Sequence, residues 1–499
     1  MILLVLVAAI ILYFVARQYQ EVKRLPPGPL AFPLIGTLPQ LAYYIWKAKG
    51  VAPAFELLRK KYGNVYTLWI GPYPHVHILD YETSHEVFIK NGSKYKERSV
   101  PEIIEFMRGG HGLFLANGDN CAELRKFTMM TLRNMGVGKN EMEQKILEEL
   151  NLKCTALNSQ AGRDGRIIVQ TNEFFDYLVA SIINMILVGE RIDEHNKHEL
   201  VTADELTHDA FSCLGIPDFI FPVAWLKRIV PSRLKNLKKK VNEAADFIAL
   251  EATRRLAAIK AGEYVLDENP VDFVNAFLEK MLKENENGGH PAYNMTALKF
   301  LLADLWLAGK STTTDTLVTG FNLLVHHLDI QEKVRVELQL VTENGTRDLS
   351  LMDKSKTPFL TATIAEVQRI ASLDNYIFAR PVHEPGTVGR YQLKVGDSVS
   401  TQSGGLHLNE EIFPNAEKFD PERFMKNDTL LQHLIPYGIG KRNCIGESLA
   451  RAELYLIFGN LILRYNFRAH EKLPELFDQT PYSFGRSPDK TAKLEFIEI

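Results

Sequence analysis

From Asn294 to His326 the chain reads as one long helix, almost entirely apolar through its middle. A helix with no polar face cannot lie on a surface, so this one has to cross the core of a large body. Much of the remainder is also helical in pattern, from about Tyr81 to Ile370. An amphipathic helix is predicted near Ala52 to Tyr62, and Leu234 to Ala261 reads as one long, basic, amphipathic helix. A final long helix is predicted from about Ile445 to Leu463. The β signals are small. VYTLWI and HVHILD with GPYP between them read as a hairpin, and Asn375 to Val382 and Arg390 to Val399 read as short strands. Neither a repeat nor a convincing linker divides the 499 residues. The expected fold class is mainly α with small β elements, in one domain.

The formal net charge of -3 gives no reason to expect nucleic acid as a partner. Four cysteines (Cys121, Cys154, Cys213 and Cys444), none in a CxxC pair, make neither a disulfide framework nor a structural zinc site. Thiols in a reducing compartment are the default reading.

The N-terminus stands apart from this body. Ile2 to Ala16 are almost wholly apolar, and Arg17, Lys23 and Arg24 follow. With no positive region before the run and no small-x-small cleavage site after it, an uncleaved membrane anchor is favoured over a signal peptide. The basic residues on its C-terminal side leave the rest of the chain in the cytosol. The sequons at Asn91, Asn294, Asn344 and Asn427 then never meet the glycosylation machinery. The predicted organisation is an anchor at 1–24, a stiff proline-rich hinge at 25–36 (LPPGPLAFPLIG) and a body at 37–499.

One loop concentrates chemistry. In YGIGKRNCIG, residues Tyr437 to Gly446, three glycines (Gly438, Gly440, Gly446) surround Cys444, and Arg442 lies two residues before it. Bare backbone lets something flat approach closely. A helix start just after the cysteine lowers the thiol pKa. A thiolate, a neighbouring cation and exposed backbone suit a haem iron, a propionate and a porphyrin face. A dinucleotide fingerprint is excluded, because Asn443 falls where the third glycine belongs.

This run resembles the cysteine-ligand signature of the cytochrome P-450 superfamily, with Tyr437 where phenylalanine is usual. Other motifs follow in the right order along essentially the whole chain. Glu366 and Arg369, in AEVQR, match the family's ExxR pair, which the resemblance joins to Arg423 in FDPERF. LWLAGKSTT, Leu305 to Thr313, resembles the oxygen-binding segment. There Ala308, Gly309 and Thr312 share a face, the glycine is expected to open a pocket for dioxygen, and Thr312 is implied to steer proton delivery. Lys310 turns away from that face. A P-loop is excluded, since Asp304 stands where its first glycine belongs.

Two departures from the family pattern matter. Ser311 occupies the place of an acid, and a hydroxyl relays a proton without supplying one by ionising. Cys121 replaces the tryptophan of WxxxR, while Arg125 of that motif is kept. Arg125, Arg380 and Arg442 are the implied propionate ligands. Gly438, Ala308 and Gly309 are implied to lie against the cofactor.

The resemblance implies a cytochrome P-450 fold around a haem (heme b) bound by Cys444, in a monooxygenase that inserts one oxygen atom of O2 into a lipophilic substrate. Xenobiotics, fatty acids and steroids are the substrates of the microsomal group it looks most like. The pocket walls would be Val100 to Phe114, the helix around Phe211, Phe300 to Ala308, Leu373 to Phe378 and a turn near Phe484. Electrons would come from an NADPH-cytochrome reductase, with cytochrome b5 as a further partner, docking near Lys126, Arg133, Lys139 and Lys441. The implied location is the endoplasmic reticulum membrane, with the catalytic body facing the cytosol. Two alternatives stay open on these residues: a haem-thiolate isomerase or dehydratase using peroxide substrates, motivated by Ser311, and a non-catalytic haem-binding paralogue, motivated by Ser311 and Cys121 together.

Overall fold

The central helix forms as the sequence demands. In a computed structural model it runs from Met295 to His326, started by Asn294, whose side chain accepts a hydrogen bond from Ala297 N at 2.9 Å. The structure describes residues 2–499 except 33–34, 137–139, 163–164, 216–217, 220, 268, 374–377 and 478–485. The central helix packs along the helix Thr171–Val188 and against the last helix, Glu447–Arg464. Phe321 stacks between Phe175 and Phe458, with ring centroids 5.0 and 4.9 Å away. Gly320 makes the approach possible, because a Cβ there would lie 2.2 Å from Phe458 Cζ. Gly309 does the same on the other neighbour, where a Cβ would lie 2.8 Å from Ile183 Cδ1.

Among the described residues, nine short strands decorate the helical body: β1 Val65–Ile70, β2 Tyr73–Ile78, β3 Arg166–Gln170, β4 Arg380–Pro381, β5 Gly386–Val388, β6 Tyr391–Leu393, β7 Ser398–Thr401, β8 Tyr465–Ala469 and β9 Lys493–Glu498. They make a sheet of order β1-β2-β7-β4, a sheet of order β3-β9-β8 and the β5-β6 pair. The predicted hairpin is β1-β2, antiparallel, with Val65 opposite Ile78. Gly71, at φ +59°, takes the first position of its two-residue turn. Strand β7 joins β2 in parallel, with Val399 opposite Val76. The mainly α fold class expected from the sequence is the one observed.

Three local expectations change. Leu234 to Ala261 is two helices, Pro231–Ile248 and Leu250–Ala261, separated at Ala249. The second is fastened to the core by buried Arg255, which bonds Asp272 at 2.7 Å and the carbonyl of Val188, steadied by Glu251 of its own helix at 2.8 Å. The strand expected at Arg390 to Val399 divides into β6 and the start of β7, because Gly396 at φ +93° turns the chain between them. Of the strand expected at Asn375 to Val382, Arg380–Pro381 is a strand and 375–377 lie outside the described residues.

The N-terminal helix spans Ile2–Arg24, and Val5, Leu12, Tyr13, Val15 and Tyr19 on it are exposed. Its end is fastened to the body: Arg24 bonds Asp397 at 2.5 Å and the carbonyl of Gln392 at 2.8 Å, and Glu21 pairs with Lys394. The proline-rich segment then runs along β1. Thr67 N donates to Pro27 O at 2.9 Å, Thr67 Oγ1 donates to Pro26 O at 2.9 Å, and Leu25 is buried. Among the described residues one helix, Thr171–Val188, is long and apolar enough to cross a membrane, but it is mostly buried beside the central helix and is a core helix.

Candidate functional site

The cysteine loop is built from backbone. Cys444 N donates to Tyr437 O at 2.8 Å and Gly438 N to Ile435 O at 3.0 Å, with Gly438 at φ +75° and Gly440 at φ +82°. Gly440 is required by the protein itself, since a Cβ there would lie 2.4 Å from Phe88 O. This corrects the expectation that all three glycines serve a flat ligand. The last helix begins at Glu447 with Gly446 as its cap, two residues later than expected. Cys444 is exposed just ahead of that N-terminus, while Arg442 is buried.

The guanidinium of Arg442 donates to Leu113 O at 3.0 Å and Ala116 O at 2.9 Å. Arg125 donates to Asn443 O at 2.7 Å. Arg380 is buried, with Nε and Nη1 lacking any hydrogen-bond partner. Burial lowers the pKa of Arg380 to about 9, helped by the like charges of Arg98, Arg442 and Arg125. Arg125 is lowered too, first by burial and then by Arg442. Converging cations whose bonds go to neutral oxygens, one with two orphaned buried nitrogens, make an anion site. The two carboxylates of a haem fit it, and an exposed thiol adjoins it.

Sequence reasoning missed Arg98, which lies in a loop with no spacing to mark it. Its Nη2 donates to Arg442 O at 3.2 Å, and its guanidinium lies over the rings of Phe114 and Phe378, 5.0 and 5.5 Å from their centroids. Those two rings meet edge to face at 4.9 Å. Cys121 is buried, with Sγ 3.3 Å from Ala116 O, so it supports the carbonyl that Arg442 also uses.

Glu366, Arg369 and Arg423 come together in the interior. Arg369 donates Nε and Nη2 to the two oxygens of Glu366, both at 2.8 Å, and Arg423 Nε donates to Oε1 at 3.0 Å. Glu366 and Arg369 have no solvent exposure. Arg369 also donates to His407 O at 2.8 Å, and His407 Nε2 accepts from Ile435 N at 3.1 Å, close before the cysteine loop. A buried ion network of this kind fixes geometry more than it adds net stability.

On the central helix, Ala308 and Thr312 are exposed, while Lys310 between them and Thr313 after them are buried. Thr312 Oγ1 donates to Ala308 O at 2.7 Å, and half-buried Ser311 donates to Leu307 O at 2.6 Å. The Cβ side of Gly309 is filled by Ile183, so the missing side chain lets the helix Thr171–Val188 pack closely here. Lys310 turns away, as expected, and bonds Asp204 and Asp176. Behind this turn, buried Glu453 accepts from Thr313 Oγ1 at 3.2 Å.

Of the expected pocket walls, Phe300 is buried under Arg108 and His111. Asp304, unassigned from sequence, pairs with Arg108 at 2.6 Å and accepts from the backbone N–H groups of Leu113 and Phe114. It thereby pins the 108–114 segment to the central helix. Phe484 and residues 374–377 lie outside the described residues. Lys126, Arg133 and Lys441 are exposed, and Lys139 is also outside the described residues.

The family model for cytochrome P450 matches residues 26–496. The chain is 45% identical to probable cytochrome P450 cyp-35D1 of Caenorhabditis elegans, over all of both proteins. It is 30% identical to cytochrome P450 2C44 of Mus musculus, covering 97% of this chain and 95% of the relative. It is also 30% identical to cytochrome P450 2C28 of Mesocricetus auratus, covering 100% and 99%. The chain belongs to the cytochrome P450 family, and is thus a monooxygenase that binds haem through a cysteine thiolate.

Proposed function

We propose that in this member of the cytochrome P450 family Cys444 is the haem-binding thiolate, in a membrane-anchored enzyme oxidising xenobiotics, fatty acids or steroids. The observation that carries the site is the anion-binding group beside the cysteine loop: Arg125, Arg380 and Arg442, with Arg98 added from the structure. These guanidiniums would hold the propionates, and the Glu366–Arg369–Arg423 network holds the loop that presents Cys444. Gly438, at φ +75°, would leave bare backbone for the cofactor beside that cysteine. Once bound, haem supplies dioxygen activation and one-atom insertion, which a thiolate ligand favours.

Thr312 is the hydroxyl assigned to proton delivery, since it is exposed beside Ala308. Ser311 donates to Leu307 O as Thr312 does to Ala308 O, but it is half-buried where Thr312 is exposed, so it acts as a relay behind it. The exposed apolar helix Ile2–Arg24, roughly 35 Å long at about 1.5 Å per residue, is read as an anchor in the endoplasmic reticulum membrane. Lys23 and Arg24 at its end keep the body cytosolic, where NADPH-cytochrome reductase and cytochrome b5 meet Lys126, Arg133 and Lys441.

The test is the spectrum of the reduced, carbon-monoxide-bound protein. The red-shifted thiolate band should be present in the native protein and absent in Cys444→Ser. Persistence of the band in that variant overturns the assignment. Reductase- and NADPH-dependent product formation from a panel of the three substrate classes then tests the rest.

A further inference from the structure

Lys310 occupies the centre of the segment Ala308–Thr312, yet none of the roles above uses it. Its side chain is 7% exposed, and its ammonium bonds both oxygens of Asp204, at 2.6 and 2.7 Å, and Asp176 at 3.1 Å. Asp204 lies on the helix Lys197–Ser212 and Asp176 on Thr171–Val188, so one lysine ties two further helices to the central one. The helix Lys197–Ser212 packs mainly along Pro231–Ile248, and the ion pair to Lys310 links it to the central helix.

A lysine is an expensive choice for such a position unless its charge is matched there. The matching is specific, with three short bonds to two carboxylates. Residues two apart on a helix point to nearly opposite sides. The lysine therefore grips its partners on one side of the turn while Thr312 and Ala308 are exposed on the other. Gly309, one residue earlier, lets Ile183 of the same Asp176-bearing helix come close. Contact and charge together fasten this turn from behind.

We propose that Lys310 is a positioning residue: its ion pairs to Asp204 and Asp176 hold the helix Lys197–Ser212 onto the turn that carries Ala308 and Thr312. This holds that helix against the back of the turn and fixes the turn against which a haem ligand must fit. The proposal rests on the reading of Ala308–Thr312 as the oxygen-binding side of the haem.

The test uses the full-length holoprotein, with backbone hydrogen exchange across 198–212 and the association rate of 4-phenylimidazole with the haem, followed spectrally. In Lys310→Met, exchange in that helix rises at least tenfold while Pro231–Ile248 is unchanged, and 4-phenylimidazole associates several-fold faster. Lys310→Arg keeps the native values. Should Lys310→Met fail to fold, Asp204→Asn reports the same bond from its more exposed end. Lys310→Met/Asp204→Asn shows no more than the larger single effect. Unchanged exchange in a folded Lys310→Met or in Asp204→Asn overturns the proposal, as does faster exchange with an unaltered association rate. Failure of the underlying haem reading shows separately, as a native protein whose spectrum does not respond to 4-phenylimidazole.

Discussion

Gln368 donates its side-chain amide to the hydroxyl of Tyr437 at 2.7 Å, joining the Glu366–Arg369 helix to the first residue of the cysteine loop. The phenol is the group that separates this chain from the phenylalanine usual there. Burial pushes its pKa up to about 12, so it stays protonated. Tyr437→Phe leaves a mostly buried amide without its partner, which costs about 1–2 kcal/mol. Gln368→Leu combined with Tyr437→Phe should recover most of that loss. Denaturant unfolding of the two single variants and the double variant measures the coupling. A neutral Tyr437→Phe means that water replaces the bond.

Acid should weaken the fold through its buried imidazoles. Burial lowers the pKa of His407 and of His77 to about 3. In the unfolded chain both titrate near about 6.5. Between those values the unfolded state binds protons that the native state refuses, so stability falls as pH drops from about 6.5 towards 3. His407 cannot protonate without losing the bond from Ile435 N. The melting temperature should therefore decline with acidification below pH 6.5, and less steeply in His407→Gln. A flat profile in the native protein would mean that these rings have access to water.

Arg380 should act with opposite signs in the haem-free and haem-bound protein. Without haem it is a buried cation among Arg98, Arg125 and Arg442, with two unpartnered nitrogens. Arg380→Met removes that repulsion and should raise the melting temperature of the haem-free chain. In the holoprotein it removes a propionate partner, and transfer of haem to apomyoglobin should be several-fold faster. Equal shifts of one sign in both forms would remove Arg380 from the anion site.

Much of the fold and site was legible for one reason: the residues concerned carry their signal in local spacing. Glu366 and Arg369 are three apart on a helix, and Cys444 lies among glycines, so motif and geometry coincide. Lys310 is turned from Thr312 by helix geometry alone. What escaped depends on distant pairing. Arg98 joins Arg442 across 344 positions, and Asp304 reaches the backbone of Leu113 across 191. Gly309 carries a second role of the same distant kind. A glycine in a motif segment looks like room for a ligand, and only the position of Ile183 shows that its Cβ side is taken by a neighbouring helix.

Glu453 gives a prediction on the alkaline side. It is 1% exposed on the last helix, and burial raises its pKa to about 8, partly offset by the hydrogen bond from Thr313. Its ordinary value is 4.5. Between these values the native state holds a proton that the unfolded state has lost, so the contribution to stability is complete below about 4.5 and disappears as pH rises through about 8. Glu453→Gln keeps the shape and an oxygen for Thr313 while removing the ionisation. Its melting temperature should match that of the native protein near pH 5 and exceed it increasingly towards pH 9. Since Thr313 follows Thr312 directly, the same series should show the native protein, and not the variant, changing its 4-phenylimidazole affinity near pH 8. A constant difference in melting temperature across this range would mean that Glu453 is already ionised, and the carboxyl behind the Thr312 turn would then be a fixed charge.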